Sequence, residues 1–323
     1  MWGVLFPGQG SQSVGMGQFL AENFKSAKLS YQEANDALSQ NIQKLCFQGP
    51  ESDLGLTENT QPALLATSIA TFRAMTEVMD VRVQAGAGHS VGEYAAVVAS
   101  GALPFAQALR AVRARGRAMQ RAVPVGEGAM IAVLGLSDQQ VDAMLAWAEA
   151  ERMPGRLEPA NYNSPGQVVI SGDASAADWL RANLTADAFA PDAPRYKLIP
   201  LNVSAPFHCR LMKPAEEEMG TVLGDIEFSD ARWNIVQNVN AEATRKAGVL
   251  RTNLVLQVTG AVRWTQCIHR LQALGLSRFI ECGAGKVLAG LSKKIDSERL
   301  TTFNINTLDD FRAIEKALKG PTV

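Results

Sequence analysis

The sequence predicts an α/β protein in two parts, and two observations support that prediction. A strand-like segment runs into the pattern G-x-S-x-G at Gly88–Gly92, and helix-forming residues follow at once. This succession is typical of the nucleophile elbow in the α/β-hydrolase fold. The middle of the chain has instead the order βαββαβ, which is that of a ferredoxin-like unit. We therefore predict an α/β-hydrolase-like domain formed by residues 1–125 and 197–323, with a ferredoxin-like subdomain inserted at 126–196.

Composition argues against several kinds of partner. The 31 basic and 32 acidic residues give a net charge of −1, which provides neither a field that attracts nucleic acid nor a polybasic membrane signal. The four cysteines are widely spaced and form no C-x-x-C pattern, so neither a zinc site nor a disulfide framework is indicated. Reduced thiols favour a cytoplasmic protein. We expect no metal, no nucleic acid and no membrane partner.

The beginning of the chain reads as a buried strand rather than as a signal peptide. It lacks a charged leader, and its apolar run stops at Pro7. The longest uncharged run, Tyr94–Leu109, contains Gly101 and Pro104 and is too short to span a membrane. We interpret this run as the core helix behind the elbow, followed by a turn.

The first part of the large domain alternates strands with helices. A turn at Gly8–Gly10 follows the first strand, and Thr60 with Pro62 gives the start signal of a long helix. Residues 24–56 carry only weak signals of short helices and loops. The predicted elements are a strand ending at Phe6, helices over 15–23, 60–79 and 94–100, and a strand over 81–87.

The helix predicted over 105–123 carries five arginines, and one of them lies on the apolar face. At 100° per residue, Arg115 projects among alanines, Val112 and Met119. An isolated buried charge costs several kcal/mol, so Arg115 should meet either a carboxylate of the protein or an anion of a ligand. The four arginines of the opposite face are Arg110, Arg113, Arg117 and Arg121.

The inserted unit has clear start and turn signals. Ser137 is placed to cap its first helix, and a Ser-Pro-Gly turn at 164–166 separates its two central strands. Asn161 and Asn163 either face a cleft between the two parts or only form that turn. The predicted elements are strands over 129–136, 158–163, 167–172 and 196–203, and helices over 137–150 and 174–184.

The last part of the chain returns to the large domain with an amphipathic helix over 264–274 and a strand over 277–282. The segment Gly283–Gly285 that follows is similar to a piece of a dinucleotide-binding fingerprint. The third glycine, however, stands at Gly290 instead of at the required spacing. We interpret the segment as a turn between the strand and a helix that begins at Lys286.

Ser90, at the centre of the elbow, is the candidate nucleophile, although an ordinary glycine-rich turn would give the same pattern. The start of the following helix places the Val91 amide beside an oxyanion forming at Ser90. Of the three histidines, His208 follows an apolar strand and comes after the serine in the order expected for this fold. We therefore choose His208 as the general base. His89 either points away from the nucleophile or lines the pocket, and His269 is a surface or boundary residue.

A carboxylate to orient the base is missing from the expected interval. Nearly all acids between Ser90 and His208 belong to the inserted unit, and Glu93 points down the elbow helix. The sequence therefore predicts a Ser–His dyad in which a backbone carbonyl takes the place of the usual acid.

Five segments together resemble malonyl-CoA:acyl-carrier-protein transacylase, and they occur in the order of that family. The resemblance covers nearly the whole chain. It implies an enzyme that moves a malonyl group from malonyl-CoA to the phosphopantetheine thiol of acyl carrier protein, with the coenzyme A thioester as a substrate and no cofactor. The segments are Phe6–Gln12, Gly88–Tyr94, Asn163–Gly172, Ala205–His208 and Glu281–Leu288.

The resemblance also implies roles for single residues. Arg115 would bind the free malonyl carboxylate, and Phe207 would fill the space of an α-methyl group unless it serves only as core packing. The Gln9 amide would be the second oxyanion donor. The carbonyl near Gln257, with Asn238 close by, would orient the base. The other pocket residues are Met119, His89 and Gln61, although a helix start would equally leave a glutamine on the surface.

Two rival functions and two surface cations complete the prediction. A serine hydrolase would use the same nucleophile, but the absent acid and Arg115 argue against it. A non-catalytic carrier-protein binder would not need both Ser90 and His208. Lys197 and Arg195 are predicted to meet coenzyme A phosphates or the acidic carrier protein, unless they are a solvated pair. We expect a monomer, whose carrier protein serves either fatty-acid or polyketide synthesis.

Overall fold

The computed structural model describes residues 1–189, 194–203 and 205–319 of the chain, and these residues form two sheets surrounded by helices. The strands are β1 Trp2–Phe6, β2 Val83–Gly88, β3 Gly128–Leu134, β4 Leu157–Ser164, β5 Gln167–Asp173, β6 Lys197–Pro200, β7 Asn234–Val236, β8 Ala243–Thr244, β9 Arg278–Glu281 and β10 Thr301–Asn304. The helices are α1 Gln18–Asn23, α2 Lys25–Leu38, α3 Ile42–Gln48, α4 Glu51–Gly55, α5 Thr57–Val78, α6 Gly92–Ala99, α7 Phe105–Arg121, α8 Asp138–Ala150, α9 Ala174–Asn183, α10 Lys213–Gly224, α11 Ala247–Leu256, α12 Trp264–Ala273, α13 Val287–Ile295 and α14 Leu308–Lys319.

The large sheet has the order β10-β9-β1-β2-β7-β8. Its strands run parallel except for β8, which pairs antiparallel with β7. Phe6 and Gly88, at the ends of β1 and β2, are register partners. Because carboxyl ends of parallel strands meet at one edge, the loop after β1 and the turn after β2 lie side by side.

Two glycines allow that close approach at the elbow. A Cβ at Gly88 would overlap the carbonyl group of Gly92, and a Cβ at Gly92 would overlap the carbonyl oxygen of Phe6. The spacing G-x-S-x-G is therefore a packing requirement of this turn, since any side chain at either position would push α6 away from the sheet.

The small sheet is antiparallel and has the order β4-β5-β3-β6. With α8 and α9 as crossovers this is the predicted ferredoxin-like arrangement, and Ser137 caps α8 through a reciprocal capping box with Gln140. Lys197 on β6 pairs with Leu134 on β3, so the small sheet continues past residue 196. The predicted limits 126–196 stay a prediction, and this pairing favours an end at Pro200.

Several boundaries differ from the sequence expectation for local reasons. The weakly patterned stretch 24–56 contains the 14-residue α2, whose stability comes from packing on α5. The long helix α5 begins at Thr57, with Leu56 as its N-cap, and Thr60 lies inside it, where the Thr60 hydroxyl donates to backbone carbonyls. Helix α1 starts only at Gln18 because the preceding Gly17 adopts a left-handed conformation.

A short backbone pairing joins the two parts. The Tyr162 amide donates to the Val262 carbonyl and the Val262 amide donates to the Ala160 carbonyl, so β4 extends onto the loop that follows α11. The inserted part has a buried apolar cluster of its own, and the main cluster of the large part also includes Met130, Ala160 and Val169 of the small sheet. Within the described ranges, no helix is both long and apolar enough to cross a membrane.

Candidate active site

The side chain of Asn238 binds the backbone of the nucleophile elbow. Ser90 has a φ of 52°, a strained conformation typical of this turn. Its amide donates to Asn238 Oδ1 at 2.8 Å, and Asn238 Nδ2 donates to the Gly88 carbonyl at 2.8 Å. Asn238 was expected beside the base. Its side chain instead binds the backbone of the elbow, because β7 neighbours β2 in the sheet.

His208 lies in hydrogen-bonding contact with Ser90. The distance from His208 Nε2 to Ser90 Oγ is 2.8 Å. His208 Nδ1 is 2.9 Å from the Gln257 carbonyl oxygen and 3.1 Å from that of Gly260. Two carbonyl acceptors require a proton on Nδ1, which leaves the Nε2 lone pair directed at the serine hydroxyl. Among the described residues, no carboxylate forms a hydrogen bond with His208.

The electrostatics keep this histidine neutral. Burial, with a further contribution from the positive charge of Arg115, lowers the pKa of His208 from 6.5 to about 3. A neutral imidazole with a free Nε2 is the form that accepts a proton. The elbow and the base therefore have the geometry of a Ser–His pair in which main-chain carbonyls replace the acid.

Arg115 lies in the same site and is only 1% exposed. Its Nη1 donates to Gln61 Oε1 at 2.9 Å, and its Nη2 donates to Gln257 Oε1 at 3.0 Å and to Ser90 Oγ at 3.2 Å. The guanidinium also lies over the Tyr94 ring, 5.8 Å from its centre. No described carboxylate pairs directly with Arg115, and its Nε has no acceptor. A ligand anion therefore remains the better candidate partner.

Two backbone amides are available at the expected oxyanion position. Val91, only 2% exposed, immediately precedes α6, and Gln9 lies in the loop after β1. Neither amide donates to an acceptor among the described residues. Gly8 presses that loop against the elbow, since a Cβ there would overlap the His89 carbonyl oxygen.

A cavity of about 320 Å³ opens at this point between the two parts of the protein. It brings together all of the predicted small-molecule pocket residues, from Gln9 and Gln61 to Phe207. Gln61, only 2% exposed, is thus a buried residue of α5 and not a surface residue. The cavity is lined by Gln9, Gly10, Gln12, Gln61, His89, Ser90, Arg115, Met119, Met130, Asn161, Leu201, Asn202, Val203, Phe207 and His208.

The remaining two histidines differ in position. His89 lies at the cavity, near the two cleft asparagines, and His269 lies at the surface. His89 Nε2 is 2.8 Å from Asn163 Oδ1, which links the elbow to β4, and Asn161 lines the cavity. Burial lowers the pKa of His89, so it adds no positive charge to the pocket. His269 is exposed on α12, as expected from the sequence.

Lys197 and Arg195 do not line this cavity. Both side chains are exposed, and Lys197 is opposite Leu134, whereas Met130, four positions earlier on β3, is the residue that lines the pocket. At about 3.3 Å per residue the two positions are roughly 13 Å apart. These two cations are therefore outside the pocket lining.

Sequence reasoning missed the apolar walls contributed by β3 and by the segment after β6. Met130 on β3 and Leu201 and Val203 after β6 face the cavity. Their sequence signal is only that of ordinary strand residues, and nothing local distinguishes a strand face that packs on a core from one that closes a pocket.

The cysteines take no part in the site. All four are buried and free, and burial raises the pKa of the Cys46 thiol to about 12. The described ranges contain no cluster of three or more metal-ligating side chains.

Comparisons with known proteins agree with this geometry. A family model described as an acyl transferase domain matches residues 4–295. A malonyl CoA-acyl carrier protein transacylase from Bacillus subtilis is 41% identical, over 98% of this chain and 95% of that protein. An acyl carrier protein S-malonyltransferase structure from Vibrio cholerae superposes with a TM-score of 0.89 at 37% identity, covering 97% of this chain and 99% of that one. A malonyl-transacylase solved in complex with its type II PKS acyl-carrier protein gives a TM-score of 0.88 at 38% identity, covering 97% of this chain and 98% of that one.

Proposed function

The chain belongs to the acyl transferase domain family, and on that premise we propose that it transfers a malonyl group from malonyl-CoA to the phosphopantetheine thiol of an acyl carrier protein. The relatives named above are malonyl transferases. The observation that carries the proposal is a buried arginine without a carboxylate partner, Arg115, whose Nη2 is 3.2 Å from Ser90 Oγ. A cation at that distance from the nucleophile suits an acyl group that carries its own carboxylate.

Acylation uses the Ser90–His208 pair. Ser90 Oγ attacks the thioester carbonyl carbon while His208 Nε2 takes the hydroxyl proton. The oxyanion that forms is stabilised by the amides of Gln9 and Val91. The carbon–sulfur bond then breaks, the sulfur receives the proton from His208, and coenzyme A leaves while a malonyl ester remains on the serine.

Deacylation is the same chemistry in reverse, with a different thiol. His208 takes the proton of the phosphopantetheine thiol, the sulfur attacks the ester carbonyl, and Ser90 Oγ leaves with the proton. The enzyme thus alternates between two substrates in a ping-pong sequence, and these steps need no metal or redox group. That the carrier protein is the acceptor is supported by the relative solved with its acyl-carrier protein.

Arg115 gives the reaction its preference for malonyl. Three of its hydrogen bonds go to neutral oxygens, while Nε is unused. Esterification turns Ser90 Oγ into a weaker acceptor and releases the Nη2 hydrogen directed at it. A carboxylate then finds adjacent N–H donors in the planar fork that suits it. Acetyl has no such group and leaves the cation unsatisfied.

A serine hydrolase with the same nucleophile is the principal rival. It would release the acyl group to water and would not need a buried arginine facing the ester. A carrier-protein binder without activity is less well supported, because Ser90 and His208 are at hydrogen-bonding distance. The monomeric state and the cytoplasmic location remain predictions from the sequence.

The decisive experiment offers the protein malonyl-CoA, methylmalonyl-CoA and acetyl-CoA in turn, with and without purified phosphopantetheinylated carrier protein. Intact mass should show a malonyl ester that maps to Ser90 and moves to the carrier thiol. Hydrolysis that outruns transfer would support the hydrolase, and an enzyme that never acquires the ester would overturn the proposal.

Lys197 and Arg195 are proposed to act at the outer part of the site. Both are exposed, and within the described ranges neither forms an ion pair. Their position beyond the pocket lining suits the phosphates of coenzyme A or an acidic face of the carrier protein. Reversing either charge should raise the apparent KM for one of these partners and make it less sensitive to salt.

A further inference from the structure

Glu93 and Arg115 are two buried charges, and neither forms a direct ion pair with a described residue. Glu93 is 0% and Arg115 1% exposed. Two other buried glutamates are accounted for, since Glu216 pairs with Lys213 and Glu281 accepts backbone amides at the start of α13. An uncompensated buried ion is costly, so the pair formed by Glu93 and Arg115 needs a physical explanation.

One side chain connects them. Gln257 Oε1 accepts from Arg115 Nη2 at 3.0 Å, and Gln257 Nε2 donates to Glu93 Oε2 at 2.9 Å. The opposite orientation of this amide would direct its NH₂ group at the guanidinium and its oxygen at the carboxylate. The two charges fix the amide together with the Ser90 carbonyl, which accepts from Gln257 Nε2 at 3.1 Å, and the aligned amide dipole lowers the energy of both charges.

Resting on the proposed function, we propose that Glu93 is the counter-charge of Arg115, relayed through the Gln257 amide, and that it thereby sets the strength of malonyl binding. Glu93 is a positioning residue, because its side chain binds Gln237, Asn238 and Gln257 and not the Ser90 hydroxyl. Its remaining contacts fix it in place: Oε1 accepts from Gln237 Nε2 at 3.0 Å and Oε2 from the Asn238 amide at 2.8 Å.

The relay explains why the pairing is indirect. A carboxylate bound directly to Arg115 would occupy two parallel N–H donors and neutralise the cation at the point where substrate must bind. The amide uses one N–H instead. The charge is then balanced through a neutral group in the empty enzyme. Nε, and the Nη2 hydrogen that esterification releases from Ser90 Oγ, remain for the malonyl carboxylate.

The first test is Glu93→Gln, which removes the charge and keeps the size. With its counter-charge gone, Arg115 should attract the malonyl anion more strongly, so the KM for malonyl-CoA at pH 8 should fall by about 3- to 30-fold. The KM for acetyl-CoA should stay the same, because acetyl carries no charge. Simple structural damage would weaken both substrates, so a lower malonyl KM distinguishes the two explanations.

Matched variants complete the test. Glu281→Gln removes another fully buried carboxylate, and it should leave the malonyl-to-acetyl ratio unchanged. In an Arg115→Ala background, adding Glu93→Gln should change that ratio no further, as expected for a coupled pair. An unchanged or raised malonyl KM in folded Glu93→Gln, or a full effect without Arg115, would overturn the inference.

A measurement on the unmodified protein covers the case in which Glu93→Gln does not fold. Burial raises the pKa of Glu93 to about 7. The other titratable groups that face it are Arg115, Tyr94 and Cys267, and burial raises the pKa values of the tyrosine and the thiol, so none of the three titrates near neutrality. A malonyl carboxylate at Arg115 should raise the pKa of Glu93 further.

Malonylation in weak buffer at pH 7 should therefore take up a fraction of a proton, whereas acetylation should take up none. The exchange itself is proton-neutral, because the released thiol stays largely protonated. Equal proton uptake for both acyl groups would overturn the inference while leaving the proposed function intact. If the unmodified protein forms no malonyl ester at all, it is the proposed function that fails.

Discussion

Ser90 and His208, whose side chains meet at 2.8 Å, both adopt positive φ angles, 52° and 60°. Non-glycine residues in this region cost of order 1–3 kcal/mol each unless the surrounding structure compensates. Hydrogen bonds compensate for this cost at both residues. Asn238 holds the elbow backbone, and the Gln257 and Gly260 carbonyls hold the imidazole. These hydrogen bonds therefore maintain the contact between the nucleophile and the base.

Ser90→Ala should abolish the acyl-enzyme. Among the described residues, no other hydroxyl lies at the elbow beside the two free amides, so no substitute nucleophile is expected. Intact mass after incubation with malonyl-CoA measures this directly, and a labelled ester that persists on the variant would exclude Ser90 as the nucleophile.

His208→Ala should slow acylation by about 10²- to 10⁴-fold, the usual contribution of a positioned base. His269→Ala is the matched control, because that histidine is exposed on α12 and should leave the rate unchanged. Single-turnover formation of the ester gives the comparison. A large loss in the control would show that the base has been misassigned.

The acid limb of the acylation rate should lie well below pH 6.5. The neutral form of His208 is the active base, and burial lowers its pKa to about 3, so the folded enzyme keeps this form at pH values where a free histidine is protonated. A profile of kcat/KM for malonyl-CoA between pH 4 and 8 tests the sign. A limb at or above 6.5 would contradict the expected direction.

Arg115→Ala should lower malonyl transfer strongly while sparing or raising acetyl transfer, and Arg115→Lys should restore only part of the selectivity because an ammonium lacks the planar fork. Arg117→Ala, on the exposed face of the same helix, serves as control. Rates with both acyl groups should be measured together with the melting temperature. An equal loss for both would argue for a purely structural arginine.

Phe207→Ser should raise methylmalonyl transfer relative to malonyl transfer. Phe207 lines the pocket next to the base, and a pocket that gains room for one methyl group shifts discrimination by about 1–3 kcal/mol at most. Competition between the two thioesters measures the ratio. If the ratio does not move in a folded variant, Phe207 serves core packing alone.

The sequence identified those parts of the site that depend on local patterns. The elbow motif, the strand-to-helix succession around it and the periodicity of α7 are properties of short segments, and they correctly indicated the turn at Ser90 and the burial of Arg115. The capping signal at Ser137 likewise located the start of α8. Local sterics and helical geometry act within one or two turns, so such features can be read without the fold.

Tertiary structure alone decided which groups meet across the molecule. Gln257 offers its backbone carbonyl to His208 and its side chain to Arg115 and Glu93, although these residues are far apart in the chain. Asn238 binds the elbow instead of the base, and Met130 on β3 and Leu201 after β6 close the pocket. Strand order in the large sheet and the pairing of β4 with Val262 create these contacts. No local pattern encodes them, because they depend on packing between segments that lie far apart in the sequence.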